Sequence, residues 1–191
     1  AVPILVDCDP STLNMDLQDA AAKLASLAAG KLPAAVPRES PVVGVMPVHV
    51  GGMMMDVAAI QSFASERGLW VVEDAAHAFP AALRTGPGTP WRRCGEATAR
   101  VSCFSFYANK TITTGEGGMA VTDDPALADR IRLMSLHGLS QDAWERFSGG
   151  KTWDYRIVAP GYKYNLTDVA AAIGIRQLAR AEQMRREREA V

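Results

Sequence analysis

Residues 103–121 read CFSFYANKTITTGEGGMAV, and this stretch predicts both the fold and the chemistry of the chain. A short apolar run leads into a polar segment around Lys110, and a second apolar run follows the glycine turn at 115–118. A strand, a polar loop, a glycine turn and a strand in that order would hold Lys110 at one place on a rigid sheet. A partly desolvated lysine loses its proton more easily and becomes a nucleophilic amine, whereas an ordinary loop lysine stays solvated and charged.

A second signal lies upstream, where the apolar run 69–72 ends in the polar sequence EDAAH at 73–77. The run predicts a buried strand, and Asp74 follows it directly. Ligands of open α/β sheets bind at the carboxyl ends of parallel strands, so a carboxylate there is a candidate site residue. A lysine together with an aspartate that holds a pyridinium nitrogen is the protein side of pyridoxal phosphate chemistry. The alternative for Asp74 is a structural role as a helix cap or turn former.

The remaining pattern alternates strands with helices. This alternation predicts an α/β fold, a mostly parallel sheet flanked by helices. Strands are predicted at 3–6, 42–50, 69–73, 101–106 and 118–122, the second of them fully buried because its apolar residues do not alternate with polar ones. Helices are predicted after a cap at Asn14 or Asp16, after Asp56, after Asp124, and from Thr167 or Asp168, the last running out to the final residues. Residues 80–98 are predicted to be a surface excursion.

Composition excludes several classes of function. The 191 residues carry a formal net charge of −1, so no basic surface is expected for nucleic acid or an anionic membrane. No apolar run is long enough to span a bilayer. The three cysteines are widely spaced, which predicts reduced thiols in a cytoplasmic protein and neither a disulfide framework nor a metal site. Ala1 and Val191 do not resemble natural termini.

Four motifs now identify a family. EDAAHA at 73–78, SFYANK at 105–110, GEGG at 115–118 and PGYKYNLTDVAAAIG at 160–174 resemble, in that order, the nucleotide-sugar aminotransferases of the DegT/DnrJ type. The likeness covers residues 3 to about 181. It implies the large domain of a fold-type I, aspartate aminotransferase-like enzyme that depends on pyridoxal 5′-phosphate, incomplete at both ends. Residues 1–181 would be part of the cofactor-binding domain, and 182–191 would begin the helix leading to a C-terminal small domain.

The resemblance also implies a role for each candidate residue. Lys110 would form the Schiff base with the cofactor aldehyde and then move a proton between substrate and cofactor. Asp74 would pair with the protonated pyridine nitrogen, and Ser105 would bind the cofactor phosphate. His77 would lie near the cofactor ring, although a histidine after a strand can equally be a hydrogen-bonded structural residue. Asn165 lies in a segment that, in the family, reaches the active site of the neighbouring subunit.

The function implied is transfer of an amino group, from glutamate, to a keto carbon of a nucleotide-linked keto sugar. The segments 137–140 and 160–168 resemble members that act at C4, and Lys110 argues against the dehydratase branch, in which histidine replaces the lysine. The enzyme would be a homodimer with shared active sites. The alternative is a truncated relative that only dimerises or binds cofactor weakly.

Three further features stay open on the sequence alone. His49, in the motif PVHVGG at 47–52, has either a core role or a place at the edge of the substrate site. The basic pair Arg92 and Arg93 is expected on a solvated surface, the alternative being contact with a nucleotide diphosphate. Tyr162 and Tyr164 would lie either in a subunit interface or over the core of their own chain.

Overall fold

The computed structural model describes residues 2–31, 40–139 and 156–191, and its centre is a four-stranded sheet. The strands are β1 Gly44–Val45, β2 Trp70–Asp74, β3 Ala82–Leu83, β4 Arg92–Arg93, β5 Val101–Ser105 and β6 Gly118–Val121. In the sheet they lie in the order β1, β2, β5, β6, of which the first three are parallel and β6 is antiparallel to β5. A separate antiparallel pair, β3 and β4, lies within the predicted surface excursion. The predicted α/β fold with a mostly parallel sheet is confirmed.

Five α-helices flank the described strands: α1 Leu17–Ala28, α2 Val57–Ser65, α3 Pro125–Ser135, α4 Asp168–Leu178 and α5 Ala181–Glu189. The first four begin where the sequence predicts, because the side chains of Asp16, Asp56, Asp124 and Thr167 each accept a hydrogen bond from a backbone N–H group of the first turn. Within the described ranges, no helix has both the length and the apolarity needed to cross a membrane.

The hydrophobic core lies between the sheet and the helices. Ile60 and Ala64 of α2 are buried against Val71 of β2. The apolar positions of α2 predict this packing, since they recur at helical spacing and form one face. A second cluster forms where Ala181 of α5 packs against Phe106 and Ile112, next to the loop that carries Lys110. The helices therefore brace both the centre of the sheet and its functional end.

Three predictions about elements are wrong. Residues 3–6 form no strand. The strand predicted over 42–50 forms a regular ladder only in β1, with one further parallel bridge from Val48 to Asp74. The side chains of β1 are partly exposed, because β1 has a neighbour on only one side of the described sheet. The single final helix is two helices, separated at residues 179–180, and Ala181, the first residue of the second, is buried. The proposed domain division at 181 stays a prediction; it falls on the first residue of α5.

The register of the sheet sets the site. Asp74, the last residue of β2, pairs with Cys103 of the parallel strand β5. Two residues further on, β5 ends at Ser105, and the loop carrying Lys110 begins. The parallel strands β2 and β5 thus end side by side, which brings two segments that are distant in sequence to one edge of the sheet.

Candidate active site

An open pocket lies at this edge of the sheet, and three of the predicted site residues line it. They are His77, Ser105 and Lys110, and the other lining residues are Gly51, Ala76, Phe79, Asn109, Thr111, Ile112 and Arg188. Its volume of about 180 Å³ is smaller than the roughly 300–1,000 Å³ typical of a ligand site. The described residues therefore enclose less volume than a complete ligand site usually has.

The loop bearing Lys110 is held at its base by backbone hydrogen bonds. The Lys110 N–H donates to the carbonyl of Tyr107 (3.0 Å), which makes a tight turn, and the Thr114 N–H donates to the carbonyl of Phe106 (2.9 Å). Ile112 is buried against Phe106. Because both ends and the middle of the loop are fixed, the half-buried lysine is held beside the strand ends, as the sequence predicts.

Asp74 lies at the predicted strand end but does not line the pocket. Its N–H donates to the carbonyl of Pro47 (2.9 Å), and its carbonyl accepts from the His49 N–H (3.0 Å). Carboxylate Oδ1 accepts from the N–H of Ala76 (3.0 Å), so the structural role of a turn former applies to this oxygen. The neighbouring Cys103 has a raised pKa, caused first by burial and then by the charge of Asp74.

His77 and Ser105 face the pocket from the two neighbouring strand ends. His77 Nδ1 accepts a hydrogen bond from the Gly51 N–H (3.3 Å), and Ser105 Oγ accepts from the Tyr107 N–H (3.3 Å). The approach of the two loops requires glycine at position 52. Its φ is +85°, and a Cβ atom there would lie 2.7 Å from the His77 carbonyl oxygen. The histidine is thus positioned by a glycine turn from another part of the chain.

Asn165 is not brought to this pocket within the chain. Its Oδ1 accepts a hydrogen bond from Lys163 Nζ (2.7 Å) on an exposed surface. The rings of Tyr162 and Tyr164 stack beside it, with centroids 5.0 Å apart. Both rings are mainly solvent-exposed, Tyr164 to 75%. The alternative that these tyrosines cover the core of their own chain is therefore wrong.

A buried carboxylate, next to Asp74 in β2, was not predicted from the sequence. Glu73, only 1% exposed, accepts hydrogen bonds through Oε2 from Ser102 Oγ (2.6 Å) and Thr98 Oγ1 (2.7 Å). Its Oε1 lies 3.3 Å from His49 Nε2, an ion-pair distance at which the N–H and the oxygen are not aligned for a hydrogen bond. His49 is fully buried, which decides for its core role. A charged residue inside the buried strand 69–73 was the available signal.

The electrostatics of this buried group follow from its hydrogen bonds. Burial raises the pKa of Glu73, but the close approach of His49 and the hydrogen bonds from Ser102 and Thr98 outweigh it and leave that pKa below its ordinary value. Cys94, whose Sγ lies 3.7 Å from Oε2, has a strongly raised pKa because of burial and the negative charge of Glu73. His49, Glu73 and Cys94 are metal-ligand types, with ligand atoms within 4.8 Å of one another. Because Oε2 already accepts two hydroxyl hydrogen bonds, we assign the cluster as a structural network.

The basic pair Arg92 and Arg93 lies on the surface. Arg92 and Arg93 form the exposed strand β4, and Arg93 makes an ion pair with Glu182 of α5. This pairing occupies Arg93, in agreement with the solvated surface expected for the pair.

Comparison with known proteins connects this geometry to a family. Residues 1–191 match the model of the DegT/DnrJ/EryC1/StrS aminotransferase family. The chain belongs to this family. It is 45% identical, over 192 residues, to the spore coat polysaccharide biosynthesis protein SpsC of Bacillus subtilis (strain 168), and the alignment covers 100% of this chain and 44% of SpsC. The chain thus spans less than half the length of this relative.

Solved structures of sugar aminotransferases share the fold. DesI, determined in the presence of its TDP-sugar product, matches with a TM-score of 0.67 and 30% identity over 95% of this chain and 38% of DesI. The putative sugar aminotransferase Spr1654 from Streptococcus pneumoniae, in its PLP form, matches with a TM-score of 0.70 and 25% identity, over 96% of this chain and 44% of Spr1654.

Proposed function

We propose that the protein is a pyridoxal phosphate-dependent aminotransferase that transfers an amino group from glutamate to the C4 keto carbon of a nucleotide-linked sugar. The observation that carries the proposal is the convergence of Lys110, Ser105 and His77 on one pocket beside Asp74, in a chain of the DegT/DnrJ family. Spr1654 in its PLP form and DesI with a TDP-sugar product support the cofactor and the substrate class.

The residues at the pocket fit this cofactor in chemical character. Lys110 supplies an amine, Ser105 a hydroxyl suited to a phosphate, and Phe79 and Ile112 supply apolar surface for a ring. Oδ2 of Asp74 has no hydrogen-bond partner among the described residues, so this oxygen is free to accept from a protonated ring nitrogen. When bound, pyridoxal phosphate supplies the aldehyde that accepts the amino group and the ring that takes up electrons.

Each side chain then has one task. Lys110 Nζ would hold the cofactor between turnovers and would carry a proton to or from the substrate carbon as a general acid and base. Asp74, fixed through its backbone to Pro47 and His49, keeps the ring nitrogen protonated by its negative charge. His77 and Ser105 orient the ring and the phosphate.

Three free cysteines support a cytoplasmic location.

We propose further that two chains build each active site. The exposed tyrosine pair at 162 and 164 is continuous in sequence with α4, whose Val169 and Ile175 are 74% and 69% exposed. Apolar and aromatic side chains displayed together are typical of an interface with a partner. With Asn165 on that surface and a small pocket within the chain, a homodimer would bring Asn165 of one subunit to the pocket of the other.

The second candidate function is a cofactor-binding or dimerising relative without transferase activity. The observation that favours it is the pocket of about 180 Å³, which is small for a cofactor and a sugar nucleotide together. Visible absorbance of the lysine-bound cofactor is expected for the enzyme. Full turnover by the 191-residue chain alone would exclude this second function.

Replacement of Lys110 tests the proposed chemistry. In the full-length protein, Lys110→Ala should abolish transamination, a loss of at least about 10²–10⁴-fold, together with the visible absorbance of lysine-bound cofactor. Lys110→Arg should not restore either one, because a guanidinium stays protonated. Circular dichroism serves as the control for folding. Turnover retained by Lys110→Ala would disprove the assignment of this lysine.

Mixing of two inactive variants tests the shared site. Lys110→Ala and Asn165→Ala chains, each inactive alone, should recover activity when their subunits exchange, because one of the two sites in the mixed dimer is then intact. Subunit exchange is followed by native mass spectrometry of differently tagged chains. Exchange without recovery would mean that each site is built within one chain.

The donor and the position of transfer need a separate measurement. With 4-keto and 3-keto nucleotide sugars and a panel of amino acids, we expect amination at C4 and the highest kcat/KM with glutamate. NMR of the purified amino sugar assigns the carbon. Amination at C3 would contradict the C4 proposal and leave the aminotransferase proposal intact.

A further inference from the structure

The pocket beside Lys110 is positively charged and contains no acidic side chain. Its lining has two cationic residues, Lys110 and Arg188, and no aspartate or glutamate. Two cations that face one cleft repel each other unless a negative charge lies between them. The lining thus has the charge of an anion site, and Arg188 was not among the residues that the sequence motifs single out.

The packing of α5 carries Arg188 to the pocket. Ala181 is buried against Phe106 and Ile112, and Met184 packs against the same cluster. Positions 181, 184 and 188 follow one another at helical spacing, so Arg188 extends the face that α5 presents to the lysine loop. The first two residues of this face are apolar and anchor the helix. The third is a cation at the mouth of the cleft.

The hydrogen bonds of α5 distinguish Arg188 from the other charged residues of the helix. Arg185 pairs with Glu182 and Glu189, and Glu182 also pairs with Arg93. Arg188 makes no hydrogen bond or ion pair with any residue that the structure describes. The neighbouring Arg186 has no such partner either but does not line the pocket, which makes it a matched control.

We propose that Arg188 binds an anionic group, a phosphate or a carboxylate, of the ligand that lies against Lys110. A guanidinium suits this role because its planar, permanently charged N–H groups donate two parallel hydrogen bonds to such an anion. The inference rests on the proposed function for the identity of the ligand. The anion is the phosphate of the cofactor, the diphosphate of the sugar nucleotide or the carboxylate of the amino donor, and the arms of the experiment separate these sources.

The first arm uses inorganic phosphate alone and is independent of cofactor chemistry. In the full-length apoprotein, phosphate should raise the melting temperature of the native chain and of Arg186→Gln, since a ligand that binds only the folded state stabilises it. Arg188→Gln should show a clearly smaller rise, and Arg188→Lys an intermediate one. Equal stabilisation of Arg188→Gln and the native protein would overturn the proposal, even if the protein binds no pyridoxal phosphate.

The second arm identifies the source of the anion in the holoenzyme. Loss of a charged hydrogen bond should weaken binding about tenfold or more. If Arg188→Gln weakens pyridoxal phosphate but not pyridoxal, measured by fluorescence titration, the anion is the cofactor phosphate. If it raises KM for the amino donor or for the sugar nucleotide alone, the anion belongs to that substrate. Constants equal to those of Arg186→Gln in every titration would also overturn the proposal, while visible cofactor absorbance would still support the proposed function.

Discussion

Removal of the buried carboxylate at position 73 should destabilise the protein more than any surface charge does. In Glu73→Ala, the hydroxyls of Ser102 and Thr98 lose the acceptor that now lies 2.6 and 2.7 Å away. A buried donor left unsatisfied costs about 1–3 kcal/mol. His49 Nε2, 3.3 Å from Oε1, loses its acidic neighbour as well. Because two buried hydroxyls lose their acceptor, we expect a loss of about 2–6 kcal/mol in the free energy of unfolding.

Urea denaturation followed by circular dichroism measures this loss. Thermal unfolding gives a second measurement: for a chain of this size each kcal/mol lowers the melting temperature by about 2–4 °C, so a fall of roughly 4–24 °C is expected. Glu66→Ala is the matched control, since Glu66 is an exposed glutamate that pairs with Ser62 and Arg67 at the end of α2. The control should change stability little.

A double variant isolates the mechanism. Ser102→Ala removes one of the stranded hydroxyls, so adding it to Glu73→Ala should cost less than it does in the native background, with a coupling of about 0.5–3 kcal/mol. A Glu73→Ala loss below about 1 kcal/mol, or strict additivity with Ser102→Ala, would refute the reasoning, because the hydroxyls would then have other acceptors.

Further predictions concern pH, the end of β2 at Asp74 and the glycine turn at position 52. The pKa of Glu73 is below its ordinary value, so its contribution to stability is complete above about pH 4.5 and is lost as pH falls through the lower folded-state value; Glu73→Gln should remove this part of the acid slope of the unfolding free energy. Asp74→Asn should retain some cofactor binding but lower kcat by about 10²–10³-fold in steady-state assays, because a neutral amide cannot hold the ring nitrogen protonated; native-like turnover would make Asp74 purely structural. Gly52→Ala should lower the free energy of unfolding by about 1–3 kcal/mol, more than Gly68→Ala does. Both positions have positive φ, but only at Gly52 would a Cβ atom lie against the His77 carbonyl. Equal losses in the two variants would contradict the steric argument.

Local patterns in the sequence predict most of the elements that hold the site. The helix beginning at Asp56 is recognisable because a cap and its apolar spacing are properties of neighbouring residues. The strand that ends at Asp74 and the loop around Lys110 are predicted for the same reason. Local patterns mislead where burial is decided elsewhere: the run 42–50 is apolar, yet Val43, Met46 and Val48 are exposed, because exposure depends on which elements lie beside the run.

The sequence by itself therefore determined the family motifs, the α/β alternation and the residues Lys110 and Asp74, which lie in or directly after short contiguous signals. Only the tertiary structure decided that Glu73 is held by Ser102, Thr98 and His49, since these residues come from two segments, around position 49 and at 98–102, that are distant in sequence from Glu73. It also decided that Arg188 lines the same pocket as Lys110, because that placement depends on how α5 packs against Phe106 and Ile112. Sequence patterns report neighbours along the chain, whereas convergence of distant segments follows from packing, which no single stretch encodes.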